Sequence, residues 1–368
     1  MRARLCLILL VILVGGGVTA PAAAASHPPA STAVPAPKQV TAPSVILVDA
    51  RTGTVLWGRG IAVRRAPASL TKMLTALLVR ATLPLNAVAT TGRNAASAPP
   101  SKLALRPGDE ITVGQALQAL LVVSANDMAV LLAERAGGSV AGFEKAMNAE
   151  SRLLGLRGSS WRSTNGLDEP GHRSTAFDLA ILARAVLLDQ WLARVVRTPK
   201  VVFTTPDGHR HELYAHSRFL REYKGAIGIK TGFTDDAGHC LAVAATRNGR
   251  TLIAVVLASA DPVGDTARLM DWGFGPGRAA SSGTTLPPYV APMGVRTLLA
   301  PPPTTTTAPR APAPLAGRAA STGLGDRLAH RSVDRRLAAG AGMGAAGAAL
   351  LGGAGLARRR RRRSDRTA

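Results

Sequence analysis

The chain is short of cysteine, aromatic side chains and acidic residues, and each shortage excludes something. With 2 Cys in 368 residues, a small disulfide-stapled scaffold is excluded. Aromatics make up only 4%, and no basic run carries interleaved aromatics of the kind that stack nucleic-acid bases. No His/Cys cluster shows ligand spacing, so neither a metal nor another cofactor is expected. Acidic residues number 22 against 45 Lys and Arg, giving a formal net charge of +23. Spread evenly, that excess would suggest a nucleic-acid partner, but much of it sits at the C-terminus. Residues 301–368 hold 13 Arg against 3 Asp, and between 26 and 300 no Lys/Arg run exceeds the pair Arg64–Arg65. Nucleic acid is therefore not an expected partner. Small residues abound instead, with 38 Gly, 25 Pro and 46% hydrophobic residues, which fits neither a collagen-like nor a wholly disordered chain.

The two ends speak to location. Arg2 and Arg4 precede the apolar run Leu5 to Val14, and small residues follow to Ala25. This is the layout of a secretory signal over 1–25, with too short an apolar run to span a bilayer comfortably. Export leaves Cys240 as the single cysteine of the mature chain, so no intramolecular disulfide can form. At the far end, 337–357 is a stretch of 21 residues without a charge, followed by six arginines, Arg358 to Arg363. Length and flanking charge read as a transmembrane anchor with a basic cytoplasmic tail over 358–368. Its 7 Gly and 9 Ala leave a low-complexity tail touching anionic lipid as the alternative. The expected location is extracytoplasmic, at the cell membrane.

Residues 26–43 are rich in Pro, Ala, Ser and Thr and read as a linker. Residues 277–336, with Pro301–Pro303 and Thr304–Thr307, read as a stiff and largely disordered stalk. The foldable part is 44–276, one large domain. Ser44–Val48 and Thr54–Trp57 read as a hairpin. Helical spacing follows over Ser69–Arg80, and Thr112 with Gln115 forms a capping box opening a helix through Leu121. Asp127–Arg135 and Ala141–Leu154 read as helices stopped by Gly137 and Gly155, and Ser174 or Thr175 caps Ala176–Leu188. The period then changes to strands over Ala226–Lys230, Leu241–Arg247 and Thr251–Ala258, the last two joined by Asn248-Gly249. A helix over Asp265–Trp272 closes the domain. The simplest fit is a mixed α/β fold: an antiparallel sheet built from both chain ends, flanked by helices, with a helical subdomain inserted.

Three short motifs carry chemistry as a set. In Ser69-Leu70-Thr71-Lys72, positions i and i+3 share a helix face, so the lysine nitrogen can reach the serine hydroxyl. Serine attacks only when a base takes its proton, and lysine is such a base once burial or nearby positive charge lowers its pKa. Ser124-Ala125-Asn126 falls between two apolar helices, where a polar loop can enter a cleft. Lys230-Thr231-Gly232 ends a strand. Alone, each has a plain reading, as a capped helix, an inter-helix turn and a strand end. All three in this order on three different elements make that coincidence improbable.

With these residues the chain resembles the serine D-Ala-D-Ala carboxypeptidases, the low-molecular-mass penicillin-binding proteins. Pro67-Ala68-Ser69-Leu70-Thr71-Lys72-Met73, Leu120 to Asp127, and Gly228 to Thr234 with Ala237 to Leu241 match the three motifs of that family. Gly166 to His172 and Ser174-Thr175-Ala176 resemble a segment beside its site. The resemblance covers about 40–276 and implies the β-lactamase/transpeptidase-like fold. It also implies roles: Ser69 as acylated nucleophile, Lys72 as its base and Ser124 as proton relay. Asn126 would bind the substrate amide and help fix Lys72. Lys230 and Thr231 would hold the terminal carboxylate, with Gly232 beside them, and the backbone N–H groups of Ser69 and Phe233 would form the oxyanion hole. The implied partners are peptidoglycan stem peptides ending in D-Ala-D-Ala and β-lactam inhibitors. Ser163, Arg173 and Ala215 to Leu220 depart from the family pattern.

Other readings compete. A transpeptidase would pass the acyl group to an amine. A β-lactamase would want Glu-x-x-Asn after the second motif, whereas Glu169 is followed by Pro170-Gly171-His172. A silent wall-binding protein would need neither nucleophile nor base. A Ser-His pair using His172 or His239 lacks an acidic orienter at a helpful spacing, and Cys240 in a strand reads as a core residue.

Overall fold

The structure, a computed structural model, describes residues 37–275 and 282–300. In chain order the domain begins with strands β1 (Ser44–Asp49) and β2 (Val55–Arg59). It then enters a long insert. The first part holds α1 (Lys72–Thr82), β3 (Val88–Thr90), α2 (Arg93–Ala96), β4 (Glu110–Thr112) and α3 (Val113–Val122). The second part holds α4 (Asn126–Gly137), α5 (Val140–Leu154), α6 (Ala176–Leu188), α7 (Gln190–Val196), β5 (Lys200–Thr204), β6 (Arg210–Tyr214) and α8 (Arg218–Glu222). It returns to the sheet through β7 (Ala226–Thr234), β8 (Gly238–Arg247) and β9 (Arg250–Ser259), followed by α9 (Pro262–Phe274) and α10 (Val295–Leu299).

The main sheet has the order β2-β1-β9-β8-β7, antiparallel throughout, so strands from both ends of the domain meet at the β1–β9 pair. This is the mixed α/β architecture that the sequence implied. Alternation along the strands explains why both faces are covered. Ile46 and Val48 of β1, with Ile253, Val255 and Leu257 of β9, face the helical insert. Val45 and Leu47, with Leu252, Ala254 and Val256, face α9 through Leu269 and Met270. The β8–β9 turn sits on Asn248 and Gly249 at φ 49° and 74°, the double left-handed geometry that an Asn-Gly pair accommodates. In the insert, α1 is buried all round its first two turns: every residue from Lys72 to Val79 is buried, so the helix is a central post rather than a surface element.

Helix signals hold closely. Thr112 and Gln115 form both halves of the capping box, and Thr175 rather than Ser174 caps α6 by accepting from Asp178 N–H. The two-stranded sheets β3–β4 and β5–β6 were not legible in the sequence. The domain is also larger at both ends than 44–276. Val40 and Ala42 are buried, and Asp265 accepts the backbone N–H groups of Thr41 and Ala42 at 2.8 and 2.9 Å. Residues 282–300, expected in the stalk, return to the domain instead. Val55 N–H donates to Thr284 O, Leu286 N–H to Gly53 O and Val295 N–H to Thr82 Oγ1, and Leu286 and Val295 are buried. Prolines in this stretch stiffen a strap whose apolar residues find a groove, so composition alone misread it. The signal at 1–25, the rest of the stalk, the anchor at 337–357 and the tail at 358–368 lie outside the described residues. Among the described residues, no helix is long and apolar enough to cross a membrane.

Candidate active site

Ser69 sits in a tight 3-10 turn, Ala68–Thr71, immediately before α1. The preceding residue, Ala68, lies at φ 48°, a left-handed conformation that a non-glycine residue adopts only when its surroundings impose it. Lys72 opens α1 three residues later and is fully buried, and its Nζ lies 2.9 Å from Ser69 Oγ. Two further contacts complete the set around Nζ. Asn126 Oδ1 is 2.7 Å away and the Asn165 carbonyl oxygen is 2.6 Å away. Burial first, then the charge of Lys230, hold the Lys72 ammonium well below the usual lysine range, with Asp127 opposing them.

Asn126 is the first residue of α4 and is almost fully buried. Its orientation follows from its partners: Nδ2 donates to the carbonyls of Pro99 and Pro100, both at 3.0 Å, which leaves Oδ1 toward Lys72. The next residue, Asp127, fixes the same loop by accepting the N–H groups of Leu103 and Ala104 at 3.0 and 2.8 Å. Ser124 stands just before, between α3 and α4, at φ 61°. It lines the same cleft as Ser69 and Asn126.

The opposite wall is the edge strand β7. A register shift between Gly228 and Lys230 turns the strand where the third motif begins. Lys230 is 3% exposed, donates to Thr231 O at 2.8 Å, and burial pulls its pKa down to about 7. Thr231, Gly232 and Phe233 line the cleft, and the exposed Phe233 ring packs 4.6 Å from His239. Gly232 is a matter of space: a Cβ there would lie 2.9 Å from both Ser69 N and Ala68 Cβ. The strand can approach the serine turn this closely only without a side chain. The cleft encloses about 690 Å³ and runs on past His216, Arg218 and Phe219, within the stretch that departs from the family pattern. All eight expected residues therefore converge, with Lys72 and Lys230 buried behind the wall formed by the others.

Sequence reasoning missed one residue at the site. Asn165 meets Lys72 through its backbone carbonyl, which leaves no mark in a motif. Its side chain accepts from Ser163 Oγ and Leu167 N–H at 2.8 and 3.0 Å, holding the loop that presents the carbonyl. His172 does not bond Ser69. It is buried behind α1, with Nε2 2.9 Å from Thr71 Oγ1. Cys240 is buried, and that burial pushes its thiol up to about 11, which suits a core residue. Among the described residues, no group of three His, Cys, Asp or Glu side chains could hold a metal ion.

Known proteins resemble this chain. Residues 30–261 match the model of the D-alanyl-D-alanine carboxypeptidase family. The D-alanyl-D-alanine carboxypeptidase DacF of Bacillus subtilis is 33% identical over 241 residues, 63% of this chain and 62% of its own length. DacB2 of Mycobacterium tuberculosis is 34% identical over 247 residues, 65% of this chain and 84% of its own. The match thus spans less than two thirds of DacF. Among solved structures, a D-alanyl-D-alanine carboxypeptidase from Mycobacterium tuberculosis aligns with a TM-score of 0.65 at 32% identity, covering 69% of this chain and 98% of that one. A DD-transpeptidase of Streptomyces aligns with a TM-score of 0.61 at 31% identity, covering 64% and 97%. With the family model covering most of the domain that builds this cleft, the chain belongs to the D-alanyl-D-alanine carboxypeptidase family.

Proposed function

We propose that this chain is a serine-type carboxypeptidase that removes the terminal D-alanine from peptidoglycan stem peptides through an acyl-Ser69 intermediate. The surroundings of Lys72 Nζ carry the reading. A neutral lysine amine has two N–H bonds and one lone pair. Asn126 Oδ1 and the Asn165 carbonyl can only accept, so at 2.7 and 2.6 Å they take both N–H groups. The lone pair is left for the Ser69 hydroxyl at 2.9 Å. Lys72 is then a base with a single proton to take, and its lowered pKa keeps it available.

The chemistry follows from that pair. Ser69 Oγ attacks the carbonyl carbon of the penultimate D-alanine while its proton passes to Lys72. The oxyanion is held by the N–H groups of Ser69 and Phe233. Collapse breaks the amide bond, and the departing D-alanine nitrogen receives a proton from Lys72 with Ser124 as relay. Thr231 on the cleft wall and Lys230 just behind it supply a hydroxyl and a positive potential for the substrate carboxylate. Asn126 has both amide hydrogens committed to Pro99 and Pro100, so toward substrate it accepts through Oδ1. Water then hydrolyses the acyl-enzyme. A β-lactam opens on the same serine. Glu169 is exposed and does not line the cleft, which argues against a β-lactamase base there. Export through 1–25 and anchoring through 337–357 would place the domain next to its polymer; the terminal arginines and apolar runs support this part of the proposal.

The test is covalent labelling. The mature chain is expected to take up a fluorescent penicillin on Ser69, located by peptide mass spectrometry, and Ser69→Ala to take up none. Label elsewhere, or no label on folded protein, would overturn the reading. Supplying an amine acceptor with the substrate separates hydrolysis from transpeptidation.

A further inference from the structure

We propose that His172 and Thr71 form a positioning clamp that aims the Ser69 backbone N–H at the oxyanion, with His172 serving as a fixed neutral donor and not as a base. This rests on the acyl-Ser69 reading above.

Hydrogen-bond direction fixes each member of the chain. Arg162 N–H lies 3.0 Å from His172 Nδ1, and a backbone N–H can only donate, so Nδ1 carries no proton. In the neutral ring the proton is then on Nε2, which donates to Thr71 Oγ1 at 2.9 Å. Thr71 passes its own hydrogen to Ala68 O at 2.8 Å. Arg162, His172, Thr71 and Ala68 therefore form one directional series, and no member can reverse without losing a buried bond. The ring is 1% exposed and its centroid lies 5.6 Å from that of Trp161, edge-on. Burial and the neighbouring Arg173 keep it neutral, with a pKa lowered to about 4.

The end of the series is what matters for catalysis. The Ala68 carbonyl and the Ser69 N–H belong to one planar trans peptide, so fixing the direction of one fixes the other. That peptide follows a residue at φ 48°, which needs outside support to persist. Support comes from three sides. Thr71 Oγ1 holds the carbonyl by its hydrogen bond. Gly166 closes over it so tightly that a Cβ would fall 1.9 Å from the oxygen, and Gly232 covers Ser69 N, where a Cβ would fall 2.9 Å away. Of these supports, only the Thr71–His172 arm is polar and directional. A Ser69 N–H aimed a few tenths of an ångström off would still bind substrate but would stabilise the tetrahedral intermediate poorly.

The experiment separates positioning from packing. Acylation of the mature protein by a penicillin is resolved into a non-covalent affinity and a first-order acylation rate, with melting temperature recorded alongside. His172→Leu keeps bulk and removes both polar atoms; His172→Gln keeps one acceptor and one donor; Thr71→Val removes only the hydroxyl. His172→Leu and Thr71→Val are each expected to slow acylation about 100-fold, the usual cost of an impaired oxyanion donor, with affinity changed less than about threefold. His172→Gln is expected to recover most of the rate, and the double variant to lose no more than either single one. Acylation at the wild-type rate in Thr71→Val would overturn the clamp. Equal loss in His172→Gln and His172→Leu would do the same. If His172→Leu fails to fold, Thr71→Val decides alone. Should wild-type protein fail to label on Ser69, the fault lies with the proposed function and not with the clamp.

Discussion

Lys72 and Lys230 are both buried, yet their surroundings differ. Lys72 faces two obligate acceptors and a hydroxyl, whereas Lys230 faces the carbonyl of Thr231 from behind the cleft wall. The proposed chemistry requires Lys72 neutral and Lys230 charged in the same molecule. Lys72 loses its proton as pH rises through its lowered range, while Lys230 is cationic below about 7 and neutral above it. A bell-shaped kcat/KM profile follows for a substrate with a free carboxylate, its alkaline limb near the Lys230 value. A pH–rate series on such a peptide checks this; a profile flat to pH 10 would remove Lys230 from carboxylate binding. Close approach gives a second test at this scale. Gly166 holds φ 87°, and a methyl group there would collide with the Ala68 carbonyl. Gly166→Ala is expected to acylate about 100-fold more slowly, because the serine turn must shift to make room. Stopped-flow labelling reads this directly. The serine–lysine pair was legible because helical spacing of three residues places side chains together. Asn165 was not, since any residue type offers a carbonyl, and what brings it to Lys72 is the loop closed by Ser163 and Leu167.

Elements were legible where period and caps agreed. β1, β8 and β9 read clearly because alternate residues serve two cores, and Asn248-Gly249 marks the turn between the last two. The β5–β6 hairpin did not, because its strands are short and alternate mostly between exposed and half-buried positions. The helix expected over Asp265–Trp272 begins at Pro262, capped by Asp261, three residues earlier than helical spacing suggested. Asp265 on that helix does more than continue it. Its carboxylate accepts from Thr41, Ala42, Ser259 and Arg268, tying the N-terminal segment to α9. Burial alone would raise its pKa, but these bonds outweigh that and hold it below the usual value. Its stabilising effect is therefore complete above the unfolded carboxylate range and fades as pH falls through the lowered folded value. Asp265→Asn should cost about 3 kcal/mol at pH 7, and the gap to wild type should narrow toward pH 3. Urea unfolding at both pH values checks this, and an equal gap at both would contradict it.

Across the whole molecule, composition separated the folded part from the rest but misplaced its edges. Pro- and Ala-rich residues near 40 and beyond 282 looked like spacer, yet Ala42, Leu286 and Val295 are buried against the domain. Composition records what a segment contains, and burial depends on whether a complementary groove exists. The net charge shows the same limit. Its +23 comes from a chain whose cleft is lined mainly by uncharged residues, with Arg218 and Asp261 as the charged exceptions, so total charge says little about the substrate. On the proposed reading the cleft offers Ser69 as nucleophile and Lys72 as base, with Lys230 behind the wall where a substrate carboxylate would lie. The most direct measurement is release of free D-alanine from a synthetic stem peptide ending in D-Ala-D-Ala, using the mature chain and Ser69→Ala side by side. Steady release by the wild type, none by the variant, and suppression by penicillin at one equivalent is the predicted result. Release by Ser69→Ala, or no release from wild-type protein that labels on Ser69 with penicillin, would contradict the carboxypeptidase account.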